Sequence, residues 1–565
     1  MSTLRPAGGR RPAGGGGERA SRFRAAIRLP PAGGPTSRFW LVVLIAVSVV
    51  GIVASATLAS GRPILASGYR LLILLGVWGA AWVVGVVCVL RLRGRVVVPL
   101  VLVVGIALRL AGLAGGPVLS NDLYRYSWDA QVQTAGIDPY RYAPDAAEER
   151  SLRASWLWPG PAGCQALGHP PGCTQINRED VRTIYPPVAE GWFTTVYNLA
   201  GGLSARYKTW QVAGLFTEVV SLALILRLLK RWGRDRRWVA VYALSPLPVV
   251  EVINDGHVDG LAIVLTLAAL VAVGRPRLAG PEGPGGRRRG RAARLAGLGR
   301  GVLGPLVGDA GRPKMALAGA LVAMATLVKL YPAAALLPIV ATPGLRPSER
   351  IRAVAWFVAV VVVAYLPHVL AVGLKVLGYL PGYLQEEHYA GADRFLIPGS
   401  LPLSSRQIDV VVAVALALAA AWVVRRRSDP VSGSAMLLGV VVLCATPVQP
   451  WYAILLIALG AAAGLPRWAV VTAAGYPYFF AVILAATRQS LVGRASFGAA
   501  AVVVAALATR AGRRRRRVRA EGGGLRDPAE GGGLPGGAGG QGMPGAAEGG
   551  GMPDAAGGSV QAAPR

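Results

Sequence analysis

The chain has 565 residues, of which 53% are hydrophobic and only 16% are charged. A soluble protein of this length would carry more charge and divide into several domains, so this composition excludes an ordinary soluble enzyme. The net charge of +32 could indicate nucleic-acid binding, but the basic residues lie near the two ends and in short segments between apolar runs. No basic face is interleaved with aromatic residues, so we expect no nucleic-acid partner.

Both ends of the chain are predicted to be disordered cytoplasmic tails. Residues 1–38 are rich in Arg, Gly and Pro, and residues 512–565 contain an RRRRR run followed by repeats such as EGGGLP and EGGGMP. Neither end has enough apolar residues to form a core. No cleavable signal is evident, because the first apolar run begins near Phe39 and is long enough to span a bilayer.

Between the tails, in residues 39–511, apolar segments follow one another. A bilayer core needs roughly 20 apolar residues per helix, and shorter or proline-containing segments can be broken or re-entrant helices. We therefore predict an all-α polytopic membrane protein with about 11–14 transmembrane helices. The apolar segments lie near 39–60, 71–91, 97–115, 209–229, 238–253, 257–274, 315–329, 331–342, 353–373, 407–424, 433–446, 451–465, 468–487 and 491–510.

The basic clusters predict the orientation. All of them fall on one side if the amino-terminal tail is cytoplasmic, as expected for a multi-pass protein of the cell membrane. Both termini and the flexible linker 275–313 are then cytoplasmic, and contact with anionic membrane lipids is expected. Two large outer loops remain, 116–208 and 374–406. Residues 187–205 are predicted to form a helix at the outer interface rather than a full span.

Four cysteines divide into two kinds. Cys88 and Cys444 lie in apolar runs and are predicted to be inert core residues. Cys164 and Cys173 lie nine residues apart in the first outer loop. A disulfide in an oxidising compartment and two free thiols are both compatible with that spacing.

The first outer loop contains the densest polar and aromatic stretch, SNDLYRYSWDAQVQTAGIDPYRYAPD at 120–145. Ser120 or Asn121 can cap a helix that runs to about Ala135. Helical spacing places Asp122 on one face together with Tyr126 and Asp129, and Arg125 beside that face. Asp122 could act as a general base on a hydroxyl, or it could simply favour the helix amino terminus.

Further polar motifs lie at predicted outer helix ends. NDGHVDG at 254–260 contains four polar groups at membrane depth, and they could serve a site or only cap the helix. Lys329 could bind an anion such as a lipid phosphate, or extend to the head groups. Tyr185 could line a pocket, and the aromatic residues of QPWY at 449–452 could stack on a sugar or belong to the interfacial belt.

Several of these motifs together resemble a known group of enzymes. DLYRYSWDAQVQTAGIDPYRYAP, TIYPPV, NDGHVDG, VKLYP and PVQPWY are similar to motifs of bacterial GT-C glycosyltransferases, and most similar to the polyprenol-phosphate-mannose-dependent mannosyltransferases of actinobacteria. The resemblance covers roughly residues 39–510 in layout. It implies a GT-C helical bundle whose large outer loop carries short helices and the active site.

The resemblance also implies the reaction. A sugar, mannose first of all, would pass from a polyprenyl phosphate to a glycan or glycolipid acceptor of the cell envelope, with inversion and with Asp122 as the base. No cofactor is expected, and a divalent metal ion is left open. The expected substrate-binding residues are Asn121, Tyr124, Arg125, Tyr126, Trp128, Asp129, Tyr140, Arg141, Tyr185, His257, Asp259, Lys329, Gln449, Trp451 and Tyr452.

Other functions fit the same composition. The sugar could be arabinofuranose or glucose, and the sequence does not separate these from mannose. A transporter or flippase of a lipid-linked sugar would show inverted repeats and polar residues at the midplane. The polar residues here gather instead at outer helix ends and in one loop, and no repeat is visible, which favours the enzyme.

Overall fold

The computed structural model describes residues 35–202, 206–274, 314–389 and 394–523. Residues up to Ala508 belong to one compact unit, and a second unit begins at Thr509. All the regular elements of the described residues are helical, which confirms the predicted all-α class. The predicted linker 275–313 and most of both predicted tails lie outside the described residues.

The α-helices are numbered here in chain order. They are α1 Pro35–Ala59, α2 Ile64–Ser67, α3 Tyr69–Arg91, α4 Val97–Ala111, α5 Asp122–Thr134, α6 Pro161–Ala166, α7 Pro187–Leu199, α8 Tyr207–Arg231, α9 Ala240–Ala243, α10 Pro246–Pro248, α11 Asp259–Val273, α12 Met315–Thr326, α13 Leu336–Val340, α14 Pro347–Val372, α15 Leu380–Glu386, α16 Ser405–Arg425, α17 Pro430–Ala445, α18 Ile454–Ala463, α19 Ala469–Ile483 and α20 Gln489–Gly523.

Shorter helical turns join these helices. A π-helical segment, Val249–Asn254, directly follows α10. The 3-10 turns are Ala147–Leu152, Arg236–Val239, Tyr331–Ala335, Gly373–Leu377, Pro398–Ser400, Pro450–Ala453 and Pro466–Trp468. Proline begins or nearly begins most of these turns, because it lacks the N–H that the first helical residues leave unpaired.

Every apolar segment predicted from the sequence is helical over most of its length. Within the described residues, six helices are long and apolar enough to cross a membrane, or seven if the bent pair 246–254 and 259–273 forms one span. Five shorter apolar helices accompany them. The chain is thus a multi-pass membrane protein, while the expected number of spans and their orientation stay predictions.

The carboxy-terminal helix differs from the prediction. We expected a disordered tail from residue 512, but α20 continues through the arginine run to Gly523. Arginine favours the helix and no glycine or proline interrupts residues 513–520, so the local sequence is compatible with continued helix. Residues 524–565 lie outside the described part of the chain.

A buried ion pair connects α4 to α8. The Arg109 guanidinium on α4 donates to Glu218 on α8 at 3.0 and 2.7 Å, and both side chains are fully buried. Arg109 also donates to the carbonyl of Ala243, and the Tyr242 hydroxyl donates to Glu218 at 2.5 Å. Charge and hydrogen bonds are therefore satisfied within the apolar core, which is the condition for burying such a pair.

The break between the π-helical segment and α11 anchors the start of the first outer loop. The helical segments Pro246–Asn254 and Asp259–Val273 are bent by 119° relative to each other. Gly256 in the break has a φ of +67°, which glycine adopts without strain. The Asn254 amide donates to the carbonyls of Gly112 and Gly116. One oxygen of Asp255 accepts the backbone N–H groups of Val118 and Leu119 at 2.8 and 3.0 Å. The NDG part of NDGHVDG therefore holds the chain just before Asn121.

The rest of the first outer loop folds against α5. Helix α7, which covers most of the predicted interfacial segment 187–205, packs along α5. Cys164 and Cys173 form a disulfide, which decides between the two alternatives left open by the sequence. Trp128 of α5 packs beside this part of the loop, against the ring of Trp158.

Candidate active site

A cavity of about 690 Å³ opens at the face where the polar motifs meet. Its lining comes from the start of α5, residues 177–185, Lys329, the second outer loop around α15, and residues 448–494. A volume of this size is typical of a site for a small molecule or the head group of a lipid. The Asn121–Asp122 loop therefore meets distant parts of the chain around one space.

The Asp122 carboxylate lies at the first turn of α5 and faces this cavity. Its Oδ1 accepts a hydrogen bond from the Asn177 amide at 2.7 Å, and its Oδ2 accepts one from the Tyr185 hydroxyl at 3.1 Å. Its side chain is 17% exposed. The Ser120 hydroxyl accepts from the Asp122 N–H at 3.3 Å, whereas the Asn121 side chain makes no capping bond. Asp122 is thus oriented by two donors and stays reachable from the cavity.

Lys329 lines the same cavity as Asp122. Its Nζ lies 5.0 Å from the Tyr185 ring centre and 5.3 Å from that of Tyr452, in cation–π geometry. The nearest carboxylate oxygen, Asp259 Oδ2, lies 3.8 Å away, and Asp259 Oδ1 accepts from the Tyr331 hydroxyl. Lys329 therefore lies between two aromatic rings, with Asp259 behind it and the cavity in front.

His257 lies behind Asp122. Its Nε2 is 3.9 Å from Asp122 Oδ2, and its Nδ1 is 2.9 Å from the carbonyl oxygen of Glu251. The ring stacks on Trp451 with centres 4.2 Å apart. The side chain is fully buried, so His257 lies beside Asp122 without lining the cavity.

The second outer loop closes the opposite side. Glu387 accepts from the Gln449 amide at 2.8 Å and forms an ion pair with Arg394, whose guanidinium also donates to the Tyr478 hydroxyl at 2.9 Å. The hydroxyls of Tyr383 and Tyr452 are 3.0 Å apart. These contacts connect the QPWY motif to the loop 374–406.

The two outer loops also meet at the rim of the cavity. Arg178 forms an ion pair with Glu386, and the Tyr379 hydroxyl donates to the same carboxylate at 2.7 Å. Asn177, next to Arg178, is the residue that donates to Asp122. The residue that pairs with Glu386 at the rim is therefore next in the sequence to the residue that donates to the Asp122 carboxylate.

Half of the residues predicted for the site line this cavity: Asn121, Asp122, Arg125, Tyr185, Lys329, Gln449, Trp451 and Tyr452. Arg125 lies there with its guanidinium engaged elsewhere. It donates to Asp129 at 2.8 Å and to the carbonyls of Arg178 and Val181. We expected Arg125 to bind substrate, and these bonds occupy most of its donors.

The remaining predicted residues do not line the cavity: Tyr124, Tyr126, Trp128, Asp129, Tyr140, Arg141, His257 and Asp259. We expected Asp122, Tyr126 and Asp129 to share one helical face toward the site. After the first turn of α5, this face is buried within the protein. Tyr126 is fully buried and stacks on Phe193, 4.3 Å between ring centres. Because α7 covers that face, only the first turn of α5 reaches the cavity.

Tyr124, Tyr140 and Arg141 also have other surroundings. Tyr124 packs near Trp156, with ring centres 6.1 Å apart, and its burial raises its pKa to about 12. The Tyr140 hydroxyl donates to the carbonyl of Tyr185 at 2.7 Å and so supports the segment that carries that ring. Arg141 lines a separate groove beside the contact of Asp138 Oδ2 with His368 Nδ1, which are 2.8 Å apart.

Carboxyl groups cluster beneath α5. Burial raises the pKa of Asp129, although the neighbouring Arg125 opposes the shift. Burial, followed by repulsion from Asp129, raises the pKa of Glu190 well above its ordinary value, and the Thr183 hydroxyl and the Gln133 amide hydrogen-bond to it. Burial disfavours the charged form of both carboxyl groups. This cluster supports α5 and does not reach the cavity.

Several residues of the lining were not predicted: Asn177, Arg178, Tyr379, Tyr383, Glu386, Glu387, Arg394, Tyr478 and Arg494. Two signals could have indicated some of them. The run QEEH at 385–388 is strongly polar within a predicted outer loop, and Arg494 is a charge inside an apolar segment. Nothing in the local sequence distinguishes Asn177.

Two family models match the chain. One, described as glycosyltransferase family 87, matches residues 184–447, and the other, described as the MptB C-terminal domain, matches residues 403–514. The first includes Tyr185 and Lys329, and the second includes Tyr452. Asp122 lies outside both matches. No curated protein and no solved structure matches the chain.

The fold and these matches agree. Apolar helices of spanning length make the chain a membrane protein, and the two matched models, one of which comes from a mannosyltransferase, make it a membrane glycosyltransferase. Such an enzyme uses a sugar donor and an acceptor at the membrane.

Proposed function

We propose that the protein transfers a sugar, mannose first of all, from a polyprenyl phosphate to a hydroxyl of a cell-envelope glycan or glycolipid at the outer face of the membrane. One observation carries the proposal. A hydrogen-bonded carboxylate, Asp122, and a lysine, Lys329, line the same cavity and are connected through Tyr185. A base and a cation are what an inverting displacement of a phosphate leaving group requires.

Asp122 is the proposed general base. It takes the proton of the acceptor hydroxyl while that oxygen forms a bond to the anomeric carbon. The bond from the anomeric carbon to the phosphate oxygen breaks with its electron pair, and polyprenyl phosphate leaves. Attack opposite to the leaving group inverts the configuration. Hydrogen bonds from Asn177 and Tyr185 fix the carboxylate, so little reorganisation is needed.

Lys329 is the proposed partner of the leaving phosphate. The phosphate gains negative charge as the bond breaks, and a fixed cation stabilises that charge. The rings of Tyr185 and Tyr452 limit the movement of the ammonium group. Most donors of Arg125 are engaged by Asp129 and two carbonyls, so this role is proposed for Lys329.

Aromatic and polar groups around the cavity suit a hydrophilic ring. Tyr185, Trp451, Tyr452 and Tyr383 offer ring faces and hydroxyls, and Gln449 and Glu387 offer an amide and a carboxylate. Sugars are bound by such combinations of apolar faces and polar edges. Apolar residues at the end of α19, Val482 and Ile483, line the same cavity and offer a surface for the polyprenyl chain.

Mannose is proposed as the sugar because of the second family match. MptB is a mannosyltransferase, and the match to its carboxy-terminal domain includes the QPWY motif and Tyr478. The resemblance of the first outer loop to polyprenol-phosphate-mannose-dependent enzymes points to the same donor. The match to family 87 supports glycosyl transfer without a choice of sugar.

Sugar transfer by the purified protein in lipid vesicles tests this function. Vesicles containing the full chain would be given polyprenyl phosphate with radiolabelled mannose, arabinofuranose or glucose, together with extracted envelope glycolipids. We expect label from the mannose donor to appear in a glycolipid product. Transfer from another of these donors alone would replace mannose, and label that crosses the bilayer without any transfer would refute the enzyme in favour of a flippase.

A further inference from the structure

A group of three buried ligand-type side chains lies directly behind Asp122, on the bent segment that precedes α11. Glu251, Asp255 and His257 each offer one ligand atom, and these atoms all lie within 4.8 Å of one another. All three residues are at least 98% buried. The chain has only four histidines, and one of them is placed between two buried carboxylates.

Each of the three side chains is held in place from outside the group. The Tyr476 hydroxyl donates to Glu251 Oε1 at 2.6 Å. The backbone N–H groups of Val118 and Leu119 donate to Asp255 Oδ1. The His257 ring stacks on Trp451. Partners of this kind orient the ligands of known metal sites.

One atom of each side chain lacks a hydrogen-bond partner. Glu251 Oε2, Asp255 Oδ2 and His257 Nε2 are buried without such a partner in the described part of the chain. Glu251 Oε2 lies 3.4 Å from His257 Nδ1, and His257 Nε2 lies 3.9 Å from Asp122 Oδ2. Buried polar atoms of native proteins almost always have a partner, so three unsatisfied atoms in one group require an explanation. Their chemistry, two carboxylates and an imidazole, is that of a ligand set.

The charge of the group also indicates a bound cation. Two carboxylates lie here, and Asp122 adds a third within 3.9 Å of the imidazole. Within the described residues, the His257 imidazole is the cationic-type group beside Glu251, with Nδ1 3.4 Å from Glu251 Oε2. One imidazole does not balance three carboxylates, so a bound cation would lower the cost of burying them.

We propose that Glu251, Asp255 and His257 bind one divalent metal ion behind the Asp122 carboxylate. A mixed set of carboxylates and imidazole suits Mn²⁺ or Zn²⁺ better than a hard ion such as Ca²⁺, which prefers oxygen alone. The ion would enter from the cavity, because Asp122 is the exposed neighbour of the group. Through Asp255 it would also stiffen residues 118–119, which lead into the proposed catalytic loop.

Metal binding is measured without any sugar transfer, so its failure and the failure of the proposed function are distinguishable. The full-length protein in lipid nanodiscs would be stripped with chelator, titrated with Mn²⁺ or Zn²⁺, and analysed for bound metal after desalting. We expect one ion per chain. The variants Glu251→Gln and Asp255→Asn should bind at least about 10-fold more weakly.

Asp259→Asn is the matched control. Asp259 is an equally buried carboxylate of the same motif, and it lies outside the group, with Tyr331 and Lys329 as its neighbours. This variant should bind metal as the wild type does. Equal affinity in all four proteins would overturn the assigned ligands, and no saturable binding of either ion to the wild type would overturn the site.

A spectroscopic measurement on the wild type alone covers the case in which a variant fails to fold. Electron spin-echo spectra of the Mn²⁺-loaded wild type should show coupling to an imidazole nitrogen. A bound Mn²⁺ without nitrogen coupling in the wild type would exclude His257 as a ligand and overturn the proposal.

Discussion

Replacement of Asp122 by asparagine isolates the proposed base. Asn has nearly the same shape, so the contacts of α5 with α7 should survive. Its amide can accept a hydrogen bond through only one atom, whereas the carboxylate accepts from both Asn177 and Tyr185. At the position of the other oxygen the amide presents N–H groups, to which the Tyr185 hydroxyl can turn as an acceptor. The free energy of folding should therefore fall by at most about 1–3 kcal/mol.

The effect on the reaction should be larger than the effect on folding. A general base contributes about 10²–10⁴-fold to the rate. Each factor of ten corresponds to about 1.4 kcal/mol, so the loss amounts to about 3–5 kcal/mol of transition-state stabilisation. Because the carboxylate accepts the proton in the transition state, kcat should fall while KM for the polyprenyl-phosphate sugar changes little.

Initial rates of sugar transfer in vesicles, measured over a range of donor concentrations, give both constants. Asp145→Asn is the control, because Asp145 is an exposed carboxylate of the same loop and does not line the cavity. It should transfer sugar at the wild-type rate. A kcat within tenfold of the wild type in Asp122→Asn, shown to be folded by its melting temperature, would refute Asp122 as the base.

Three further changes follow from the same structure. Lys329→Gln should lower kcat by about 10²-fold or more, because the leaving phosphate loses its cation, and wild-type turnover would contradict this. Glu218→Gln should destabilise the protein by about 3–5 kcal/mol in detergent unfolding, since it leaves Arg109 buried without its charge partner, and adding Arg109→Met should restore part of the loss. Burial and then repulsion from a neighbouring carboxylate raise the pKa of Glu149 to about 7. The stability that the protonated form of Glu149 supports is present below its unfolded pKa and is lost as pH rises through about 7. Glu149→Gln should therefore raise the melting temperature at pH 8 and not at pH 5. Glu148→Gln, at the exposed neighbour, should not show this dependence on pH.

Much of the site could be anticipated from the sequence. Asp122, Tyr185, Lys329 and the QPWY motif are distinguished by being polar at the ends of apolar segments, and the structure brings all of them to one cavity. Polar groups at membrane depth are expensive, so a local pattern is enough to select them.

Other site residues depend on packing that no local pattern contains. Whether a side chain of α5 faces the cavity or the protein depends on where α7 lies, and α7 covers Tyr126 and Asp129 but leaves Asp122 open. Asn177, some 55 residues from Asp122, meets it only after the outer loop has folded.

The sequence by itself determined the helices. Apolar residues over the length of a bilayer leave the backbone no partner except itself, so each of these segments becomes helical wherever it packs. Only the tertiary structure decided which of the polar groups became neighbours. Contacts such as those of Lys329 with Tyr185 and of Glu251 with Tyr476 join residues far apart in the chain, and their geometry depends on how the helices pack against one another.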